Sequence, residues 1–152
     1  MGNILLKTYI KRIEHLYLPD YQSCFLWGAC KTGKSTFLKE NYPDALWGDL
    51  LEADNYRKYL RETRGLRQEL ENFPKIPLII VDEVQRVPEF LNEIHWLIEN
   101  RDVQFILCGS SYRKLKTSGA NLLGGRAWRY IFLPFCYPKL KKLRWPRILI
   151  KG

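Results

Sequence analysis

No acidic residue follows Asp102. All sixteen Asp and Glu lie at or before it, with 14 Lys and Arg, so residues 1–102 are close to neutral. Residues 103–152 hold 11 basic side chains and no acid, so the net charge of +9 belongs to the last third. Any acidic partner must be sought there. Long apolar runs are missing too. The longest purely aliphatic one is Leu78-Ile79-Ile80-Val81, far short of the ~20 residues of a membrane span. The N-terminus has no apolar run followed by a small-residue cleavage site, so secretion is not expected. None of the four cysteines, Cys24, Cys30, Cys108 and Cys136, forms a CxxC pair, which argues against a zinc site. Cys24 and Cys108 fall in apolar stretches where a buried free thiol is the simple expectation, and the chain reads as reduced and cytoplasmic. Histidine is limited to His15 and His95, neither with a ligand partner at metal spacing. There is no internal repeat.

What is present is an ordinary globular composition, 46% hydrophobic and 27% charged over 152 residues, which is one domain's worth. Leu6, Ile10, Ile13 and Tyr17 recur at helical spacing over 4–17, and Pro19-Asp20 ends that pattern. Short apolar runs then alternate with helical patterns. Strands are expected at Cys24–Trp27, 45–47, 76–81, Val103–Cys108 and 127–133. Helices are expected at 34–41, within 54–72 as two pieces broken at Gly65, and after Pro88, where Phe90, Leu91, Ile94, Leu97 and Ile98 supply an apolar face. Continuous apolar strands alternating with helices predict an α/β fold, a parallel sheet covered on both faces.

Gly28-Ala29-Cys30-Lys31-Thr32-Gly33-Lys34-Ser35 fits G-x-x-x-x-G-K-[ST] at every specified position. Glycine permits a tight turn that aims backbone N–H groups at phosphate oxygens, and the following helix offers its N-terminal amides to the same anion. Lys34 has the reach for the β- and γ-phosphates, and the Ser35 hydroxyl can ligate Mg²⁺. Thr36, the next residue, completes the expected nucleotide-binding set. The motif follows an apolar strand and opens a helix, the setting this P-loop requires.

Leu78–Val81 runs into Asp82-Glu83. A strand tip beside the phosphate loop suits a Mg²⁺-bound carboxylate, Asp82, next to a general base, Glu83. The 47-residue step from Ser35 to Asp82 leaves room for helices and for another strand near 45–49. That layout resembles the ATPase branch with an additional central strand rather than small-molecule kinases. The next strand ends at Cys108-Gly109-Ser110-Ser111. A polar tip there suits the γ-phosphate or its water, with Ser110 or Ser111 as candidate.

Together these strings resemble the AAA-like P-loop ATPases of prokaryotes that carry a C-terminal domain of unknown function. The likeness runs from about 22 to 140. It includes Phe25-Leu26-Trp27-Gly28, Tyr42-Pro43-Asp44-Ala45-Leu46-Trp47 and Val81-Asp82-Glu83-Val84-Gln85 with Val87-Pro88. It also includes His95–Glu99, Phe105–Ser111 and Ala120–Ala127. The resemblance implies a three-layer α/β/α domain that binds ATP and Mg²⁺ and hydrolyses ATP. It also implies that Arg126 reaches a γ-phosphate, in its own subunit or a neighbour's, with a homo-oligomer as the setting for the second. A structural pairing of Arg126 with an acid such as Glu83 stands beside that.

Two departures go with it. Cys30 stands where family members often carry Arg. The chain also ends where they continue into a second domain, and 139–152 matches no family pattern. The expected organisation is therefore an N-terminal amphipathic helix (1–20), an AAA-like ATP-binding domain (21–135) and a basic tail (136–152) left by a truncated C-terminus. Two other functions stay open: a nucleotide-binding remnant with little turnover, and a nucleic-acid-binding module. The second would use the basic end and the aromatic residues Tyr112, Trp128, Tyr130, Tyr137 and Trp145.

Overall fold

The apolar runs become the strands of one parallel sheet in the computed structural model, which describes residues 16–73, 75, 78–110, 113, 115, 123 and 126–134. Ser23–Trp27 forms β1, Leu46–Asp49 β2, Ile79–Asp82 β3, Phe105–Gly109 β4 and Ala127–Ile131 β5. Their order is β2-β3-β4-β1-β5, and each neighbouring pair is parallel. Every residue of β1, β3 and β4 is buried. Inner parallel strands are covered on both faces, which is why these three read as unbroken apolar runs. The strand expected near 45–49 is β2, at an edge. The strand that separates β1 from β3 is β4, which comes later in the chain.

Among the described residues four α-helices connect the strands: α1, Lys34–Asn41; α2, Ala53–Arg61; α3, Gly65–Glu71; and α4, Phe90–Arg101. Gly65 marks the break expected within 54–72, as the first residue of α3. From β1 the chain passes β4 and β3 to reach β2, then steps back through β3 to β4. Right-handed crossovers therefore place α1 on one face of the sheet and α2, α3 and α4 on the other. The packing agrees. Phe25, Trp27, Ile79, Val81, Phe105 and Leu107 share a core with Tyr59, Leu66, Leu70, Phe90, Leu91, Ile94 and Leu97. Their alternate neighbours Cys24, Leu26, Ile80, Ile106 and Cys108 are buried on the opposite face, and Phe37 and Leu38 of α1 are buried as well. This is the three-layer α/β/α arrangement.

Burial raises the Cys24 thiol to about 12 and the Cys108 thiol well above its ordinary range, so both are inert protonated thiols. Polar contacts also fix the helical layer. Arg67 on α3 grips Glu93 on α4 through Nε–Oε1 at 2.8 Å and Nη2–Oε2 at 3.0 Å, and its guanidinium lies 3.3 Å from the Trp96 ring centroid. Arg86 donates to the Leu50 carbonyl at 2.7 Å and covers the Tyr56 ring, which ties the exit of β2 to the segment after β3.

Among the described residues no helix is long and apolar enough to cross a membrane. The fold above is that of Tyr17–Pro134. The helix expected over 4–17, apart from residues 16 and 17, and the basic tail 136–152 lie outside the described residues, as do His15, Ser111 and Cys136.

Candidate functional site

In a parallel sheet the C-terminal strand ends share one edge, and crevices form where neighbouring connections diverge. Here β1 ends at the glycine-rich loop, β3 at Asp82 and β4 at Gly109-Ser110. The register pairs Trp27 with Gly109 across β1 and β4, and Leu107 of β4 with both Phe25 of β1 and Val81 of β3. The acidic tip and the serine tip are therefore set beside the loop by strand pairing alone.

The loop is tied to itself. Gly33 takes φ 85° as the N-cap of α1, a left-handed conformation that costs glycine little. Thr32 Oγ1 donates to the Ala29 carbonyl at 2.9 Å. Lys34 is nearly buried, and its ammonium donates to the Gly28 and Ala29 carbonyls at 2.6 and 3.0 Å. Gly28 answers a different demand: a Cβ there would lie 2.4 Å from the backbone oxygen of Phe132.

Ser35 Oγ donates to Asp82 Oδ2 at 2.6 Å. The other Asp82 oxygen accepts the Glu83 N–H at 3.0 Å. Glu83 itself sits at φ 56°, ψ 42°, a left-handed conformation unfavourable for a side chain of this kind. Its Oε2 accepts from Ser110 Oγ at 3.1 Å and from Gln85 Nε2. A cleft of about 470 Å³ opens between these parts, lined by Cys30 to Thr36 with Leu51, Asp82 and Glu83. That volume lies within the range of small-molecule sites. Ser35 and Asp82 bring two hard oxygen donors together at its floor, a donor set that suits Mg²⁺.

Of the residues singled out from sequence, Cys30 to Thr36, Asp82 and Glu83 line this one cleft. Gly28 and Ala29 supply the carbonyls that hold Lys34, and Ser110 touches Glu83. Arg126 does not join them. It precedes Ala127, which pairs with Ser23 at the start of β1, whereas the loop follows Trp27 at its end. Four residue steps, about 13 Å, separate the two levels. Its Nη2 meets Glu99 of α4 at 2.6 Å, and its side chain is half exposed. The acid that Arg126 pairs with is Glu99, at the opposite end of the sheet from Glu83.

Two residues escaped sequence reasoning: Leu51, 62% exposed at the cleft mouth, and Gln85, the buried neighbour of Glu83. Leu51 falls in the family-like string Asp49-Leu50-Leu51, but an apolar side chain there carried no chemical role to predict. Gln85 stands among polar neighbours, between Glu83 and Arg86, so nothing in the sequence marks its amide as buried. Of the basic and aromatic residues after Asp102 that suggested nucleic acid, Arg113, Arg126, Trp128, Arg129 and Tyr130 are described.

A family model described as AAA domain matches residues 20–140. Among solved structures, the chain is similar to the Orc1 protein of Aeropyrum pernix in complex with DNA. The TM-score is 0.56, with 16% identity over 80% of this chain and 42% of that one. It is also similar to PCH-2 of C. elegans, with a TM-score of 0.42 and 16% identity over 73% of this chain and 35% of that one. The chain spans less than half the length of either. The likeness to Orc1 is a likeness of fold. No curated protein matches the chain.

Proposed function

The chain belongs to the family of AAA domains, and from that premise we propose that it binds ATP in the cleft at the ends of β1 and β3 and hydrolyses it with Mg²⁺. The observation that carries this reading is the 2.6 Å bond from Ser35 to Asp82. It joins the phosphate loop to the acidic strand tip across 47 residues of chain.

Each group then has a task. Backbone N–H groups of the loop and of the first turn of α1 donate to the phosphate oxygens. Lys34 exchanges its two carbonyl partners for the β- and γ-phosphates, where an ammonium gains far more than on neutral oxygens. Ser35 and Asp82 are the residues that would hold Mg²⁺, which would supply neutralising charge to the phosphates. Glu83 orients a water in line with the γ-phosphorus and takes its proton as the oxygen–phosphorus bond forms and the bond to ADP breaks. Ser110 fixes the carboxylate that does so. Arg126 serves in trans, at the cleft of a neighbouring copy, since its own cleft lies at the far end of the sheet.

The test is nucleotide affinity and phosphate release in wild type, Lys34→Ala and Glu83→Gln. Hydrogen bonds to charged groups contribute about 1.5–3 kcal/mol, so Lys34→Ala should weaken Mg-ATP binding about 10- to 100-fold. Glu83→Gln should keep binding and lose about 10²–10⁴-fold in kcat. Equal affinity in wild type and Lys34→Ala overturns the binding site. Wild type without Mg²⁺-dependent phosphate release overturns the hydrolase.

A further inference from the structure

Gln85 is a buried polar side chain that neither the phosphate loop nor the acidic pair calls for. It lies in the 3₁₀ turn Val84–Arg86 directly after Glu83, 9% exposed, beside fully buried Val84 and Val87. A carboxamide has two N–H hydrogens, and Gln85 spends both on the candidate site. Nε2 donates to Glu83 Oε2 and, at 2.9 Å, to Ser110 Oγ. Ser110 Oγ in turn donates to the same Glu83 oxygen at 3.1 Å. One carboxylate oxygen is thus gripped from two directions, by the turn that follows β3 and by the tip of β4. The amide orientation follows from charge: turned over, its oxygen would face a carboxylate.

The other end of the amide is poorly served. Gln85 Oε1 is buried and has no hydrogen-bond partner among the described residues. A buried acceptor left unpaired lowers stability, and an apolar residue of the same shape avoids that loss. Room for the oxygen comes from a missing side chain on β4. A Cβ at Gly109 would lie 2.4 Å from Gln85 Oε1 and 2.4 Å from Trp27 Cζ3. Glu83 meanwhile holds φ 56°, a backbone conformation that persists only where its surroundings over-determine it. Burial, an unpaired oxygen, a cleared neighbour and a strained partner all converge on how one carboxylate is aimed.

We propose that Gln85 is a positioning residue for Glu83. Its amide fixes Oε2 against Ser110, so that the carboxylate and the serine hydroxyl address the same water. This rests on the cleft being the ATP-hydrolysing site proposed above. It predicts a division of labour: Gln85 governs turnover and leaves nucleotide binding alone.

The experiment uses the full chain. Gln85→Met keeps the volume and removes both donors. The expected result is an unlowered melting temperature, a Kd for Mg-ATP within about twofold of wild type and a kcat reduced about 10- to 100-fold, the usual consequence of a slightly misplaced group. Combined with Ser110→Ala, the loss should be smaller than the product of the two single losses, because both side chains hold one oxygen. Gln85→Asn, whose amide is too short to span the gap, should give the same split between kcat and Kd and serves if the methionine variant does not fold. Wild-type kcat in both variants overturns the inference, as does a parallel fall of kcat, affinity and melting temperature. A wild type without Mg²⁺-dependent turnover overturns the hydrolase reading and this inference with it. An active wild type whose turnover neither variant changes overturns this inference alone.

Discussion

Single residues in this protein are constrained by partners far away in the chain. Gly28 is the first position of the loop motif, and the sequence pattern explains it by a tight turn. The structure gives a more local reason, the Phe132 carbonyl 2.4 Å from where a Cβ would sit. Gly28→Ala should force the end of β5 away from β1 and strain the 2.6 Å bond from the Phe132 N–H to the Trp27 carbonyl. Overpacking of this kind costs about 1–3 kcal/mol, which a urea melt of the variant would register, and Mg-ATP affinity should fall with it. That the loop, the acidic pair and Ser110 come together could be read from sequence, because each follows an apolar strand and a parallel sheet brings its strand ends to one edge. What could not be read is which atoms meet. Phe132 is remote from Gly28 in the chain, and an amide such as Gln85 has no periodicity that marks it as buried.

At the scale of elements, legibility followed burial. The inner strands β1, β3 and β4 were visible as apolar runs because both their faces are covered, and α1 matched its expected span. Boundaries slipped where an apolar residue serves another element. Val103, expected to begin a strand, is buried but directs its N–H to the Leu97 carbonyl. It closes the end of α4, where Asp102 turns at φ 51°, and β4 starts two residues later. Strand order was not legible, since it depends on where crossovers land. The Arg67–Glu93 grip between α3 and α4 gives an element-scale prediction. Glu93 has a side chain only 7% exposed, so Arg67→Ala leaves a nearly buried charge unpaired. Breaking such a pair from one side costs about 3–5 kcal/mol. Arg67→Met with Glu93→Leu should lose much less, and comparing the two denaturation curves checks it.

On the scale of the whole molecule, the two ends of the sheet carry different chemistry, the cleft at one and Arg126 at the other. Arg126 stands about a strand's length from its own cleft, half exposed and held by Glu99. If it works in trans as proposed, turnover per chain should rise with protein concentration, and Arg126→Ala should lower kcat about 10³-fold or more with nucleotide affinity kept. Mixing Arg126→Ala with Glu83→Gln should restore turnover that neither has alone, because an intact arginine then meets an intact glutamate across a subunit boundary. Silent mixtures and a concentration-independent rate in wild type would remove Arg126 from the mechanism.

Phe132 has one more consequence. Its N–H holds the carbonyl of the last β1 residue, its own carbonyl fills the space left by Gly28, and its ring packs 5.2 Å from that of Phe37 on α1. The strand before the loop, the loop's first residue and the helix after it all bear on a single residue of the chain leaving β5. The backbone and ring of one residue thus lock three separate pieces of backbone, so a loss of packing at this single position loosens strand, loop and helix together.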